Sequence, residues 1–348
     1  MERTRVEALA DVHIHLREGE VTGPLIEYAI AGGADVLGAM PNTKEGLTTA
    51  TQVGAYRERV LALVPWIPFE VRVIPFLMIT ERTTQQEIDA CIDGGIFNAK
   101  IYPYLRTTQS DNGVTNYARL IPILCHCGTV GMKCHHHPEH PNMLFGNREA
   151  EWAYLPLMRI FLEETQGIHV WEHGTDHRCI PHWEDLAQSG RFFVTLTAHH
   201  LAANEDTTFG DVAAVCKPPI KTEHDRQSLL ELVAKDYSWL MAGGDSAFHD
   251  RAAKHVESGR CSCGDFTSPF LLCLYAHALQ NLLEKPGGID IFVRFTSRNA
   301  RRLHGLPGTS RMVDLIWEKE RLPTSFKVGS QTAVPFWGGH ELNCRIEK

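Results

Sequence analysis

The residues best equipped for chemistry lie near the start of the chain, in Asp11-Val12-His13-Ile14-His15-Leu16-Arg17. On a β-strand successive side chains alternate faces, so His13 and His15 share a side and Arg17 follows them. Two neutral imidazoles suit a divalent transition metal, zinc above all, and a guanidinium offers a planar fork of donors to a carboxylate. The stretch therefore proposes a metal and an anion in one pocket. A strand with two hydrogen-bonded histidines explains the pair equally well in a chain with 19 histidines, so its meaning depends on where further ligands fall.

The elements that must position these residues follow from a repeated alternation. Apolar, strand-like runs occur at 8–16, 35–40, 71–79, 96–102, 130–137, 168–173, 192–198 and 239–243. Segments with helical spacing lie at 24–31, 49–63, 84–92, 117–125, 148–164, 183–187, 222–234 and 269–283. Strands alternating with helices imply a parallel sheet with right-handed crossovers. Eight such units without a G-x-G-x-x-G turn favour an α/β fold of the (β/α)₈ TIM-type barrel over an open dinucleotide-binding sheet. Residues 1–348 read as one barrel domain, with 287–348 as a C-terminal extension packed on it. In such a barrel the chemistry sits at the C-terminal ends of the strands. There the sequence places His13 and His15, Asn42, Lys100, His137, His173 and Asp245. A lysine among apolar residues inside a strand is costly unless it is paired, modified or snorkels to solvent. Four histidines, an aspartate and this lysine suggest more than one metal, and a pair of metals about 3.5–4 Å apart needs bridging anions. Spacing alone does not make the lysine one of them.

Composition narrows the function classes. With 43% hydrophobic and 22% charged residues the chain is ordinary globular material, and its formal net charge of -8 argues against a nucleic-acid surface. No apolar run has the length of a membrane span or the form of a secretion signal, and ten scattered cysteines suit a reducing, cytoplasmic compartment. Neither Cys125-His126-Cys127 nor Cys261-Ser262-Cys263 has the spacing of a structural zinc site. His126, His136, His177, His182, His199 and His224 read as surface or packing residues, and His200 as a residue that could help order the pocket.

Several motifs together are more specific than any of them alone. Asp-x-His-x-His-x-Arg at 11–17, Met40-Pro41-Asn42, Lys100-Ile101-Tyr102-Pro103, the threonine-rich 107–115, Glu172-His173 and Asp245-Ser246-Ala247-Phe248-His249 resemble the dihydroorotase family of the amidohydrolase superfamily, in its shorter, single-function type. The resemblance runs from about residue 8 to about 338. It implies reversible cyclisation of N-carbamoyl-L-aspartate to L-dihydroorotate in de novo pyrimidine biosynthesis, by a homodimer. It also implies two zinc ions per subunit: His13, His15 and Asp245 hold one, His137 and His173 the other, and an N6-carboxylated Lys100 bridges them. Asp245 would be the general acid and base. Arg17, Asn42 and His249 match positions that hold the substrate, Thr107 and Thr108 match the tip of a mobile loop, and Lys217 and Cys263 match further ring contacts. The family pattern His-Gly-Glu reads His135-His136-His137-Pro138-Glu139 here; alternation puts His135 and His137 on one face, so either is open as the ligand, with His137 favoured by the Gly131-Met132 register. Hydantoinases and allantoinases would share the metal ligands but lack the threonine loop and the carboxylate-binding set. A barrel reduced to a scaffold would have lost ligands, and none is missing here.

Overall fold

The computed structural model describes residues 2–347. Its frame is a set of parallel strands: β1 (Leu9–His15), β2 (Ala34–Ala39), β3 (Arg72–Pro75 and, beyond Phe76, Leu77–Ile79), β4 (Asn98–Ile101), β5 (Lys133–His136), β6 (His169–Trp171), β7 (Phe192–Leu196) and β8 (Leu240–Ala242). Each pairs in parallel with the next. The ring closes where Ser246 and Ala247, just past β8, pair with Ile14 and His15 of β1. β1 and β2 are buried along their whole length, as strands covered by helices outside and side chains inside must be.

Local chemistry sets the connecting helices. Thr49 and Thr222 open helices Ala50–Ala62 and Glu223–Ala234 with reciprocal capping boxes to Gln52 and Asp225. Gly131, at φ 79°, ends helix Ile121–Val130 in the left-handed conformation. Apolar side chains from several strands meet inside the ring: Ala10, Val12, Val36, Ile74, Phe76, Val170 and Met241, closed below by Ala300 and Leu303. A larger core lies between strands and helices and includes Phe292, Leu315, Phe336 and Cys344 from the C-terminal extension.

Four expectations need correction. The strand expected at 71–79 breaks at Phe76, and its two halves pair with different neighbours, β2 and β4. Val130 belongs to a helix, and β5 starts only at Lys133. Ala198 begins a short helix, Ala198–Ala202, because Thr197 caps it by accepting the N–H of His200. The extension holds strands as well as helix: Met312–Ile316 pairs antiparallel with Arg3–Glu7 at the other end of the chain, and Arg345–Ile346 lines its far edge. No helix among the described residues is long and apolar enough to cross a membrane.

The tightest backbone approach in the ring is at Gly38 on β2, where an added Cβ would sit 2.1 Å from the Val12 carbonyl oxygen of β1. No side chain can relieve that contact. Gly38→Ala should cost about 3 kcal/mol of stability or more, read as a lower urea midpoint; an unchanged midpoint would show that β1 and β2 can separate at the histidine strand.

Candidate active site

β1 delivers His13 and His15 to the mouth of the barrel with ring centroids 5.3 Å apart. Both Nε2 atoms face Asp245 Oδ1, at 3.2 Å and 2.9 Å, and the donor atoms of the three residues lie within 4.8 Å of one another. His173, just past β6, stands 5.4 Å from the His13 ring and 4.5 Å from that of His137, which follows β5. The shared side expected for His13 and His15 is present. Arg17 is not on the strand, which ends at His15; it turns through φ 56° and reaches the pocket from beyond it.

What the histidines do with their other nitrogens bears on whether they fit a metal. His13 Nδ1 faces the carboxylate of Glu172, His15 Nδ1 lies 2.7 Å from Asn42 Oδ1, and His137 Nε2 lies 2.6 Å from Glu139 Oε2. An imidazole that donates to an oxygen acceptor through one nitrogen presents a lone pair at the other. Burial, with Lys100 adding to it, pushes His13 down to about 3. Burial also pushes His15 down and His173 well below the usual histidine range. These are neutral imidazoles with lone pairs turned to one space, the donor set a divalent metal takes. Asp245 Oδ1 faces the same space and adds an oxygen donor to the set.

Lys100 lies in β4, fully buried, with Nζ 3.1 Å from Glu172 Oε2. That carboxylate also takes His135 Nδ1 at 2.5 Å through its other oxygen. Burial pushes Lys100 down to about 7, toward the neutral amine. His135 is paired in register with Lys100 and packs on Phe76 and His304, one layer below the mouth. Of the two candidate histidines on β5, the fold brings His137 to the pocket and leaves His135 beneath it. His173 and Asp245 hold φ values of 41° and 46°, a region that non-glycine residues seldom occupy and that clusters at functional sites.

The rim holds the other expected residues. Arg17, Asn42, Thr107, Thr108, Lys217, Asp245 and Cys263 line one cleft with His13, His15 and His137. His249 stands at its edge, with Nε2 donating to the Cys263 carbonyl at 2.8 Å and lying 3.3 Å from Arg17 Nη2. Thr108 Oγ1 donates to that same carbonyl at 3.1 Å, and Asn42 Nδ2 donates to the Thr108 carbonyl at 3.2 Å. Asn42 thus orients His15 and anchors the threonine loop. Four participants were not singled out by the sequence reading. Glu172 brings a carboxylate up to three buried nitrogens; Glu139 orients His137; Tyr102 lines the cleft beside Lys100. The fourth is Asp11, fully buried, whose Oδ1 accepts the backbone N–H groups of Gly244 at 2.8 Å and His13 at 3.2 Å. Burial raises it to about 7. Its one signal was its place two residues before His13.

Comparison with known proteins decides the family. No family model matches the chain. Among curated proteins it is similar to the dihydroorotase of Laribacter hongkongensis, 31% identical over 343 residues that cover 97% of this chain and 96% of that one. It is equally similar to the dihydroorotase of Alkalilimnicola ehrlichii, 31% identical over 354 residues, covering 99% and 100%. The chain belongs to the dihydroorotase family. Among solved structures, the dihydroorotase of Saccharomyces cerevisiae in complex with 5-fluoroorotic acid superposes with a TM-score of 0.91 at 22% identity, covering 100% of this chain and 99% of that one. An L-hydantoinase from Arthrobacter aurescens superposes at 0.83 with 12% identity, covering 99% and 83%. These structural likenesses show the barrel fold; the identity over full length establishes the dihydroorotase family.

Asp11 ties the turn that carries Asp245 to the strand that carries His13. Asp11→Ala would leave two buried N–H groups without an acceptor and should lower stability by about 1–3 kcal/mol, whereas Asp11→Asn, which keeps one acceptor oxygen, should lose less. Equal urea midpoints for the two variants would show that the hydrogen bonds are not what Asp11 contributes.

Proposed function

We propose that the chain interconverts N-carbamoyl-L-aspartate and L-dihydroorotate in pyrimidine biosynthesis, closing or opening a cyclic amide. The observation that carries this reading is the meeting of two chemistries in one cleft: a cluster of neutral imidazoles with an ionised aspartate, and beside it a fixed guanidinium, Arg17. Cyclic amides of this substrate class carry a carboxylate next to the ring, and Arg17 can hold it through a bidentate pair that a lysine cannot reproduce. His249 and Asn42 flank that cation.

Two zinc ions would fit the donor set, one between His13, His15 and Asp245 and one between His137 and His173. Lys100 would lie between them as a carbamate formed by its neutral amine with carbon dioxide. When bound, the metals supply activation of a water and polarisation of the amide carbonyl. In the hydrolytic direction Asp245 accepts the proton of the attacking water at its carboxylate and returns it to the departing ring nitrogen. In the synthetic direction the same carboxyl takes the proton from the ureido nitrogen. Thr107 and Thr108 close over the substrate as a mobile loop that excludes water, supported by the single side-chain bond from Thr108 to the Cys263 carbonyl. Lys217 and the Cys263 backbone meet the ring. A homodimer in a cytosol-like compartment completes the reading, the latter supported by ten free thiols.

The test is loss of the dihydroorotate amide absorbance with purified protein, with hydantoin and allantoin as controls and a chelator-treated sample. Chelator-sensitive turnover of dihydroorotate alone is expected; turnover of hydantoin instead would assign the site to another cyclic amide. Asp245→Ala should lower kcat about 10³-fold with an unchanged far-ultraviolet circular dichroism spectrum, and near-normal turnover would remove Asp245 from the proton transfer. Replacing Thr107 and Thr108 together by valine should lower kcat and raise KM, and parameters equal to wild type would exclude a closing loop.

A further inference from the structure

Away from this cleft the chain builds a second cluster of metal-ligating side chains. His199 and His200 lie on the short helix after β7, and Cys216 lies on the loop that follows Val212–Ala214. One donor atom from each comes within 4.8 Å of the other two, and all three side chains are buried. None of the three lines the cleft that holds His13, His15 and Asp245.

Two features set this cluster apart from ordinary packing. His199 is 0% exposed, yet neither ring nitrogen has a hydrogen-bond partner, an expensive state for a group with one donor and one acceptor. Its ring stands 4.4 Å from that of His200. In addition, the N–H of His200 Nε2 and the thiol of Cys216 both point at one oxygen, the Pro218 carbonyl, at 3.1 Å and 3.2 Å. His200 Nε2 and Cys216 Sγ are 3.7 Å apart. Tetrahedral zinc, with Zn–N about 2.0–2.1 Å and Zn–S about 2.3 Å, holds such a nitrogen and sulfur about 3.5 Å apart. With those two protons displaced, the lone pairs of His200 Nε2 and Cys216 Sγ, together with the orphaned imidazole, would converge on a single cation.

The geometry points to a separate mononuclear zinc site formed by His199, His200 and Cys216, with the Pro218 carbonyl at the fourth corner. Two imidazoles and a thiolate are a borderline-soft set that selects zinc over magnesium or calcium. Binding is balanced in protons. The Cys216 thiol loses its proton to solvent, and the proton of His200 moves from Nε2 to Nδ1, where Thr197 Oγ1 stands ready to accept it at 2.6 Å. His199 binds through either nitrogen as a neutral ring. Asp265, fully buried, lies beside Cys216, whose thiol is within reach of its carboxyl group. The metal would pin the loop after β7 to the segment whose next residue is Lys217, at the rim of the cleft.

The test is metal content and absorbance of the full-length protein produced with cobalt(II) in place of zinc. The residues proposed to bind metal in the barrel mouth include no sulfur, so a sulfur-to-cobalt charge-transfer band reports a thiolate site. Wild type should show this band and carry one metal equivalent more than Cys216→Ser, which should lose the band and keep the remaining metal. His199→Gln, which keeps the thiol, should also lose one equivalent and serves where Cys216→Ser does not fold. A band that survives in Cys216→Ser, a wild type without the band, or equal metal content in wild type and both variants would overturn the proposal.

Discussion

A carboxylate without access to water governs the centre of this molecule. Glu172 is fully buried and faces His13, His135 and Lys100. A lone buried charge would be strongly unfavourable; here three strands bring nitrogens to it, and His135 Nδ1 is within hydrogen-bond distance of Oε1. In exchange, Glu172 orients the ring of His135. His13 turns its Nδ1 toward Glu172 and its Nε2 toward Asp245. Without that acceptor the imidazole could present either nitrogen, and the alignment of the pocket would be lost.

Asp11 and Glu139 extend the same logic outward. Each is buried and each orients a residue of the mouth: Asp11 the Gly244-Asp245 turn, which it ties to β1, and Glu139 the ring of His137. The left-handed turns at Arg17, His173 and Asp245 fit this picture. A strand that simply continued would send alternate side chains into the barrel wall. A residue at positive φ breaks the alternation and turns its side chain over the mouth, and the strain is held by the hydrogen bonds beneath.

These features also explain what could and could not be read from the sequence. The order of the barrel strands was legible because parallel strands are apolar on both faces and helices with ordinary caps separate them. The histidines, Lys100 and Asp245 were legible because barrel chemistry gathers at strand ends. The role of Glu172 was not, because alternation places it opposite His173; only the turn of φ 41° at His173 lets both neighbours serve the same site. His135 and His137 were indistinguishable for a related reason. They share a face and differ in depth, and depth is set by where β5 ends and by Phe76 and His304 packing below. The pairing of Arg3–Glu7 with Met312–Ile316 joins segments about three hundred residues apart, and neither carries a local mark of its partner. Nothing in the sequence around His199 sets it apart from a packing residue, yet it packs without a hydrogen-bond partner for either ring nitrogen.

Asn42 shows how orientation at the floor and closure at the rim become one event. Its Oδ1 meets His15 Nδ1 while its Nδ2 donates to the Thr108 carbonyl. The two ends of one amide cannot be reversed without breaking both bonds, because a carbonyl accepts and an NH₂ donates. With the amide held this way, His15 must carry its proton on Nδ1 and offer Nε2 to Asp245. Thr108 in turn reaches the Cys263 carbonyl that also receives His249, and His249 stands beside Arg17. A displaced threonine loop would therefore remove one of the two anchors that keep the Asn42 amide from flipping. It would also loosen the contacts beside the guanidinium. Loop position, the tautomer of His15 and the setting of Arg17 are linked through this short chain of side chains and one backbone carbonyl, so a closed loop and a correctly oriented pocket stabilise each other.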